Sequence, residues 1–392
     1  MMKKQPILCK VLDIHIIHSL SPNVVNRDDL GQPKRVLVGG SARTRVSSQA
    51  WKRAIRGYMS EHLETGTRSR YLAERVAALL QHGDAETREK VALMVLGVIF
   101  GDPDWEKGRL TVAIFVSDTE IQQIAGLVDD TWDSLERLVQ ASDLDAAIKG
   151  SPDLASIKSA FKKRFRGRAT SADLALFGRM IASDPVLNLP AALSVAHAFG
   201  VAATSTEVDF FVSSDDLSRQ NNPGGWSVAD HQGFNPGEPL YRYYSLDVEL
   251  LHHNIGEDSV ATDQIVRCLL SALDLTMPGG KSTAFASFTR PDFYLAVARQ
   301  RKDATSLAGA FDRPVVPQRE GGLATLAVAR LDQHWREYQR VYGGAGATAI
   351  ALNGMGIAPE NASGLQEAGA LVNSFEAWVD QVMATILAVE EK

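Results

Sequence analysis

Residues 7–18 read ILCKVLDIHIIH. Aliphatic and β-branched residues dominate, and Leu12, Ile14 and Ile16 share one face under two-residue alternation, which predicts a strand. The next stretch, Ser19 to Gly40, holds Pro22, Asn23, Asn26, Gly31, Pro33 and the Gly39-Gly40 pair. That density of turn residues predicts a long loop, and such loops in compact domains are usually functional or mobile. Ser47-Ser48-Gln49 then carries a helix-start signal. Ala50, Trp51, Ala54, Ile55, Tyr58 and Met59 follow at helical spacing, with Lys52, Arg53 and Arg56 interleaved.

Downstream, residues 68–198 read as mostly helical, with one possible strand at LTVAIFVSD. Residues 204–240 are polar, rich in turn residues and studded with aromatics, which suggests an exposed hairpin or arm. β signals return at LYRYYSLDVELL and DFYLAVAR, separated by a helix near DQIVRCLLSALDL and the loop MPGGKSTAF. Residues 343–364 are Gly/Ala-rich and poorly patterned, and a final amphipathic helix is expected from Gly369 to Glu391. No fixed-period repeat is present. β segments at both ends around a long helical insertion give an α+β class, because the alternation of a doubly wound sheet is missing.

The chain has 392 residues, 45% hydrophobic and 22% charged, which is ordinary globular composition and excludes a disordered, collagenous or coiled-coil chain. No apolar run reaches the roughly 18 residues that span a bilayer. Asp13, His15 and His18 interrupt the first apolar stretch, so no signal peptide and no membrane are expected. Two cysteines, Cys9 and Cys268, make neither a disulfide framework nor a multi-thiolate zinc site, and a reducing cytoplasm is the expected home.

Net charge is −6, which taken alone argues against a polyanion partner. Its distribution argues the other way. Residues 26–57 carry eight basic side chains against Asp28 and Asp29, a balance of +6, and residues 156–172 carry Lys158, Lys162, Lys163, Arg164, Arg166 and Arg168 with no acid, another +6. The remainder then holds −18, the footprint of a basic groove on an acidic body. Two solvated basic faces are the plain alternative.

The first window has more than charge. Glycines permit close backbone approach, and arginines two apart in an extended segment leave on the same side. Serines at a helix start, beside a positive dipole end, suit a phosphate, and Lys52 and Arg56, four apart, continue one cationic face. The pattern describes a grip on backbone phosphates rather than on base edges. On the plain reading Ser47 only caps the helix and the charges are solvated.

The sequence resembles the backbone subunit of the type I-E CRISPR surveillance complex, the CasC family of Cascade. The likeness runs in order through HIIHSLSPNVVNRDDLGQPK, GGSARTRVSSQAWKRAIR, ADLALFGRM, AHAF, VDFFVSSDD, GFNPGEPLYRYYSLDVELL and PGGKSTAFASFTRPDF, covering most of residues 11–300. It implies an RRM-like (ferredoxin-like) palm in residues 1–65 and 241–392, a mostly helical fingers insertion in 66–198, and an extended thumb-like β arm in 199–240. It further implies a non-catalytic protein whose copies stack head-to-tail along a CRISPR guide RNA, with other Cascade subunits and a target DNA strand as partners and no cofactor or metal. Arg27, Lys34, Arg43, Arg45, Ser47, Ser48, Gln49, Lys52 and Arg56 match the family's guide-backbone segment. Met180 matches a position beside a splayed base, and Phe210 and Phe211 the arm that wedges against the kinked nucleotide, although pattern alone favours a buried strand pair for the two phenylalanines. Lys281 and Arg290 are further candidate contacts, Arg313 or Arg319 a guess, and the window 158–168 is assigned to the nucleic-acid-facing side.

Two other functions fit parts of the sequence. Asp28 or Asp29, beside the seam, could serve a metal-dependent ribonuclease, and the basic windows alone would suit a general single-strand binder. Other motifs are discounted: Gly280-Lys281-Ser282 lacks the first glycine of a Walker loop, the glycines at 344 and 346 follow no convincing strand, and His252-His253 lacks a third ligand.

Overall fold

A computed structural model describes residues 9–211, 230–319, 321–343, 347–353, 359–364 and 369–386. The chain forms two compact units: Met1–Tyr58, Ser194–Val248 and Val266–Lys392 make the first, Met59–Leu193 and Glu249–Ile265 the second. The class is α+β, as the sequence indicates.

The first unit is built on a sheet around β1 (Val11–Ser19). Strands Pro239–Asp247 and Phe293–Arg299 flank β1, both antiparallel to it. Beyond Pro239–Asp247 come Ala198–Gly200, then β3 (Ser41–Val46), then β2 (Arg35–Val38). Beyond Phe293–Arg299 come Ala347–Asn353 and, parallel to it, Gly369–Val372. The Ser19–Gly40 segment is thus not all loop: β2 pairs with β3 across Gly39-Gly40, whose φ values of 55° and 77° are those of a two-residue hairpin turn. Ala347–Asn353 falls in the Gly/Ala-rich stretch expected to lack pattern. Where one helix was expected from Gly369 to Glu391, the strand Gly369–Val372 precedes the helix Phe375–Ile386, and residues 387–391 lie outside the described residues.

Both faces of β1 are covered, so the polar residues that alternate with Leu12, Ile14 and Ile16 are buried along with them. On one face Ile17 joins Phe293, Leu295 and Val297 against Leu331 and Trp335 of the helix Leu323–Tyr342. On the other, Trp378 packs on Tyr294 at 5.2 Å and donates to the Ile350 carbonyl at 3.0 Å.

Asp13 and His15 interrupt the first face and are fully buried. Asp13 is satisfied by Arg299 Nε at 2.7 Å, the Tyr243 hydroxyl at 2.8 Å and Thr305 N–H at 3.0 Å. His15 stacks on Tyr243 at 5.1 Å, with Nδ1 2.8 Å from the Tyr241 hydroxyl. Burial lowers the His15 pKa to about 4, with Asp13 and Arg299 opposing each other. His18 is held neutral in a defined tautomer: Arg242 donates to Nδ1 at 3.0 Å, so Nε2 carries the proton and donates to the Thr289 carbonyl at 3.1 Å. Burial first, and then Arg242, push its pKa well down.

Folded His15 refuses a proton that the unfolded chain accepts below its ordinary pKa of about 6.5. Stability should therefore fall as pH drops below about 6.5, at about 1.4 kcal/mol per pH unit for this residue alone, and level off near 4. Urea unfolding at pH 7, 6 and 5 should show about 2 kcal/mol lost by pH 5 from His15, with His18 adding in the same direction. Stability independent of pH across that range would contradict the burial of both rings.

The second unit packs helices around its own core. Ala85–Phe100 buries Val91 through Leu96 with Ile99 and Phe100, and Phe100 meets Phe161 of the helix Pro152–Phe165 edge-on at 5.5 Å. Asp118–Asp129 starts with a capping box in which Ser117 and Glu120 exchange hydrogen bonds.

Candidate nucleic-acid interface

The loop Asn26–Lys34 is tied down by its own side chains. The Asp28 carboxylate accepts from the Leu30 and Gln32 N–H groups at 3.0 and 2.8 Å, and Gly31 takes φ 79° to close the turn. Asn26 Oδ1 accepts from Ser47 N–H at 2.9 Å, joining the loop to the residue before α1 (Ser48–Met59). Arg45 N–H donates to the Lys34 carbonyl at 2.9 Å. Arg27, Lys34, Arg45 and α1 are thereby connected through backbone that cannot drift apart independently.

Ser47 caps α1, its hydroxyl accepting from Ala50 N–H at 3.3 Å. Trp51, Ile55 and Met59 form the buried stripe of α1. The stripe is fixed to the sheet by an unusual contact: the Arg242 guanidinium lies 3.9 Å over the Trp51 ring. Arg242 is itself buried and has no carboxylate partner among the described residues. It donates to the Tyr244 hydroxyl, the Leu273 carbonyl and His18. With Trp51 inward, Gln49 and Arg53 are exposed and Ser48, Lys52 and Arg56 are half-buried, the latter three aligned at four-residue spacing. Burial lowers the Lys52 pKa.

Cations predominate along the seam, with Asp28 and Asp29 exposed in the same loop. Arg27 and Arg35 are exposed, Lys34 and Arg45 half-buried, and among the described residues no carboxylate pairs with any of them or with Arg53. His197 lies 3.2 Å from Arg45 Nη1, and its pKa is held below the ordinary range by burial and then by the charges of Arg45 and Lys34. His197, in AHAF, escaped the candidate residues, as did Arg35 and Arg53. The only sequence signal for His197 is its place in that motif.

Arg43 does not belong to the seam. It is fully buried, with Nη1 donating to the Gly200 and Val201 carbonyls at 3.0 and 2.8 Å and Nη2 to that of Phe311 at 3.4 Å. Alternation aims it with Arg45, but distant chain closes over it. Arg290 pairs with Asp274, which also accepts from the Tyr294 hydroxyl. Lys281 is half-buried with φ 48°, following Gly280, where a Cβ would meet the Val24 and Val25 carbonyls at 2.5 Å. Arg313 and Arg319 are exposed. Phe210 and Phe211 end the strand Glu207–Phe211, which pairs with Asp230–Phe234, and their side chains lie outside the described residues. His252 Nδ1 meets the Thr262 hydroxyl at 2.9 Å, a structural role.

In the second unit Met180 is 83% exposed, although its neighbour Arg179 is buried against Glu120 at 2.7 Å. Gly178, at φ 71° and with the Leu189 carbonyl 2.6 Å from where a Cβ would lie, fixes the turn that holds Met180 outward. The basic window 158–168 is partly neutralised: Lys162 and Lys158 meet Asp184 at 2.5 and 3.5 Å, leaving Lys163, Arg164, Arg166 and Arg168 exposed.

The architecture and seam define an α+β protein with a backbone-anchored cationic surface. The chain belongs to the CT1975-like protein family, whose model matches residues 12–380. No curated protein matches the sequence. Among solved structures, a chain from a "CRISPR RNA-guided surveillance complex, pre-nicking" is 28% identical, with a TM-score of 0.82 over 95% of this chain and 99% of that one. A chain from a "CRISPR RNA-guided surveillance complex" is 23% identical with a TM-score of 0.73 over the same shares, a likeness of fold. No helix among the described residues is long and apolar enough to cross a membrane.

Proposed function

We propose that the chain is a backbone subunit of a Cascade-type surveillance complex, of the type I-E CasC kind, that holds CRISPR guide RNA by its phosphates. The observation that carries this reading is the connected set of cations Arg27, Lys34, Arg45 and the outward face of α1, together with the likeness in fold to a surveillance-complex chain over nearly all of both chains. Lysine and arginine neutralise phosphates and release counterions without reading bases. Sequence choice then falls to pairing between guide and target.

In this reading the first unit is an RRM-like palm. Its central order, Phe293–Arg299, β1, Pro239–Asp247, Ala198–Gly200, with the helix Ser259–Leu275 linking the two strands that flank β1, supports it. The helical second unit corresponds to fingers and the strands Glu207–Phe211 and Asp230–Phe234 to a thumb-like arm. Met180 offers an apolar surface to a displaced base, Phe210 and Phe211 hold the arm positions matched to the wedge against the kinked nucleotide, and copies stack head-to-tail along the guide with other Cascade subunits in the cytoplasm. Lys281 contributes at the margin, and the subunit performs no cleavage. Asp28 uses Oδ1 to close its own turn, which favours a structural part for it over a metal-binding one. Reversing charge on α1 with Lys52→Ala and Arg56→Glu tests the reading: guide RNA should be lost from the purified assembly.

A further inference from the structure

The segment that joins the helix Ser259–Leu275 to the strand Phe293–Arg299 lies against the start of the seam. Gly280 sits on the Val24 and Val25 carbonyls, and the Ser287 hydroxyl donates to the Pro22 carbonyl at 2.9 Å. Residues 22–25 lead directly into Asn26 and Arg27. Asn23 in turn bridges to Asn235, just past the strand Asp230–Phe234, and the Phe285 ring lies 5.8 Å from that of Phe234. Residues 280–287 therefore border the loop that carries Arg27 and Lys34.

This segment is tied down on both sides of one residue. Ser287 is buried, the Thr289 carbonyl accepts from His18, Arg290 pairs with Asp274, and the Asp292 carboxylate accepts from Ser19 N–H at 2.6 Å. Lys281 and Ala286 take φ values of 48° and 45°, left-handed backbone that residues with a Cβ adopt uncommonly and that gathers at ligand-holding sites. The side chain this framework presents is Phe288, 77% exposed. Between residues 277 and 292 no other large apolar side chain is exposed. A hydrophobic protein surface would call for a contiguous apolar patch. A single ring held rigidly beside a cationic seam suits a nucleobase, whose faces are apolar and whose edges are polar.

We propose that Phe288 is a stacking platform for one base of the single strand whose phosphates lie on the seam, a role that rests on the function proposed above. Every base has a π face, so the ring adds affinity without adding sequence choice. The seam and the ring then divide the work: cations take the backbone, and the aromatic takes a base turned away from it.

Equilibrium binding to the full chain tests this, with a uridine RNA oligonucleotide and the same oligomer lacking its bases as probes, each at several salt concentrations. Phe288→Ala should weaken RNA binding about tenfold and leave the slope of log affinity against log salt unchanged, because no phosphate contact is lost. Phe288→Trp should bind RNA at least as tightly as the natural chain. The base-free oligomer should not distinguish Phe288→Ala from the natural chain. Lys52→Ala with Arg56→Glu should do the reverse, making the slope shallower for both probes. Equal RNA affinity in Phe288→Ala overturns the platform and leaves the seam standing, and a change in sedimentation alone would give the ring to a neighbouring copy instead. A shallower salt slope in Phe288→Ala, or the same weakening with the base-free oligomer, also overturns it. No RNA binding by the natural chain would overturn platform and seam together.

Discussion

A chain carrying Lys52→Ala and Arg56→Glu should release guide RNA at physiological salt while keeping its fold. Each charge-assisted contact to a phosphate contributes about 1.5–3 kcal/mol, so losing two of them should reduce affinity by about two orders of magnitude or more. Salt dependence gives an independent readout. Single strands show a slope of about 0.7 per neutralised phosphate in log affinity against log salt, so the variant's slope should be shallower by about 1.4. The buried stripe of α1 is Trp51, Ile55 and Met59, and neither substituted residue belongs to it. Thermal unfolding should move by no more than several degrees, from the half-buried Lys52 and the charge of Arg56 in the last turn of α1, and affinity is compared per folded molecule. Unchanged affinity with an unchanged slope would remove α1 from the RNA surface.

Arg43 should behave in the opposite way. In Arg43→Met the carbonyls of Gly200, Val201 and Phe311 lose their donor in the interior, at about 1 kcal/mol each. The unfolding midpoint should drop by roughly 10 °C. RNA affinity per folded molecule should change by less than about threefold, because a fully buried guanidinium cannot reach a phosphate. A variant that melts normally but binds RNA weakly would return Arg43 to the seam. The two substitutions together separate cations that hold the fold from cations that hold a ligand, a distinction that charge counting misses.

Much of the first unit was legible because periodicity reports local burial. The strand Val11–Ser19, the helix after Ser47 and the strand Phe293–Arg299 all announce themselves within a dozen residues. Ala347–Asn353 was not legible, since small residues between flanking strands carry no alternation. Arg43 failed for a different reason. Alternation placed it correctly on the strand, but the carbonyls that enclose it come from 157 to 268 residues away. The same limit hid Asp184, which lies outside the window 158–168 in sequence and pairs with two of its lysines in space. It also hid the buried Arg242, whose place over Trp51 orients the cationic helix. The seam was otherwise readable because its parts, Arg27 to Arg56, are consecutive.

The most direct measurement is ultraviolet cross-linking of the purified RNA-bound assembly, followed by mass mapping of the peptides that carry nucleotide adducts. Adducts should concentrate between Arg27 and Arg56. A map lacking adducts in that segment, with RNA instead attached across the acidic remainder of the chain, would contradict the central claim that the connected cations of the loop, Arg45 and α1 form the RNA surface.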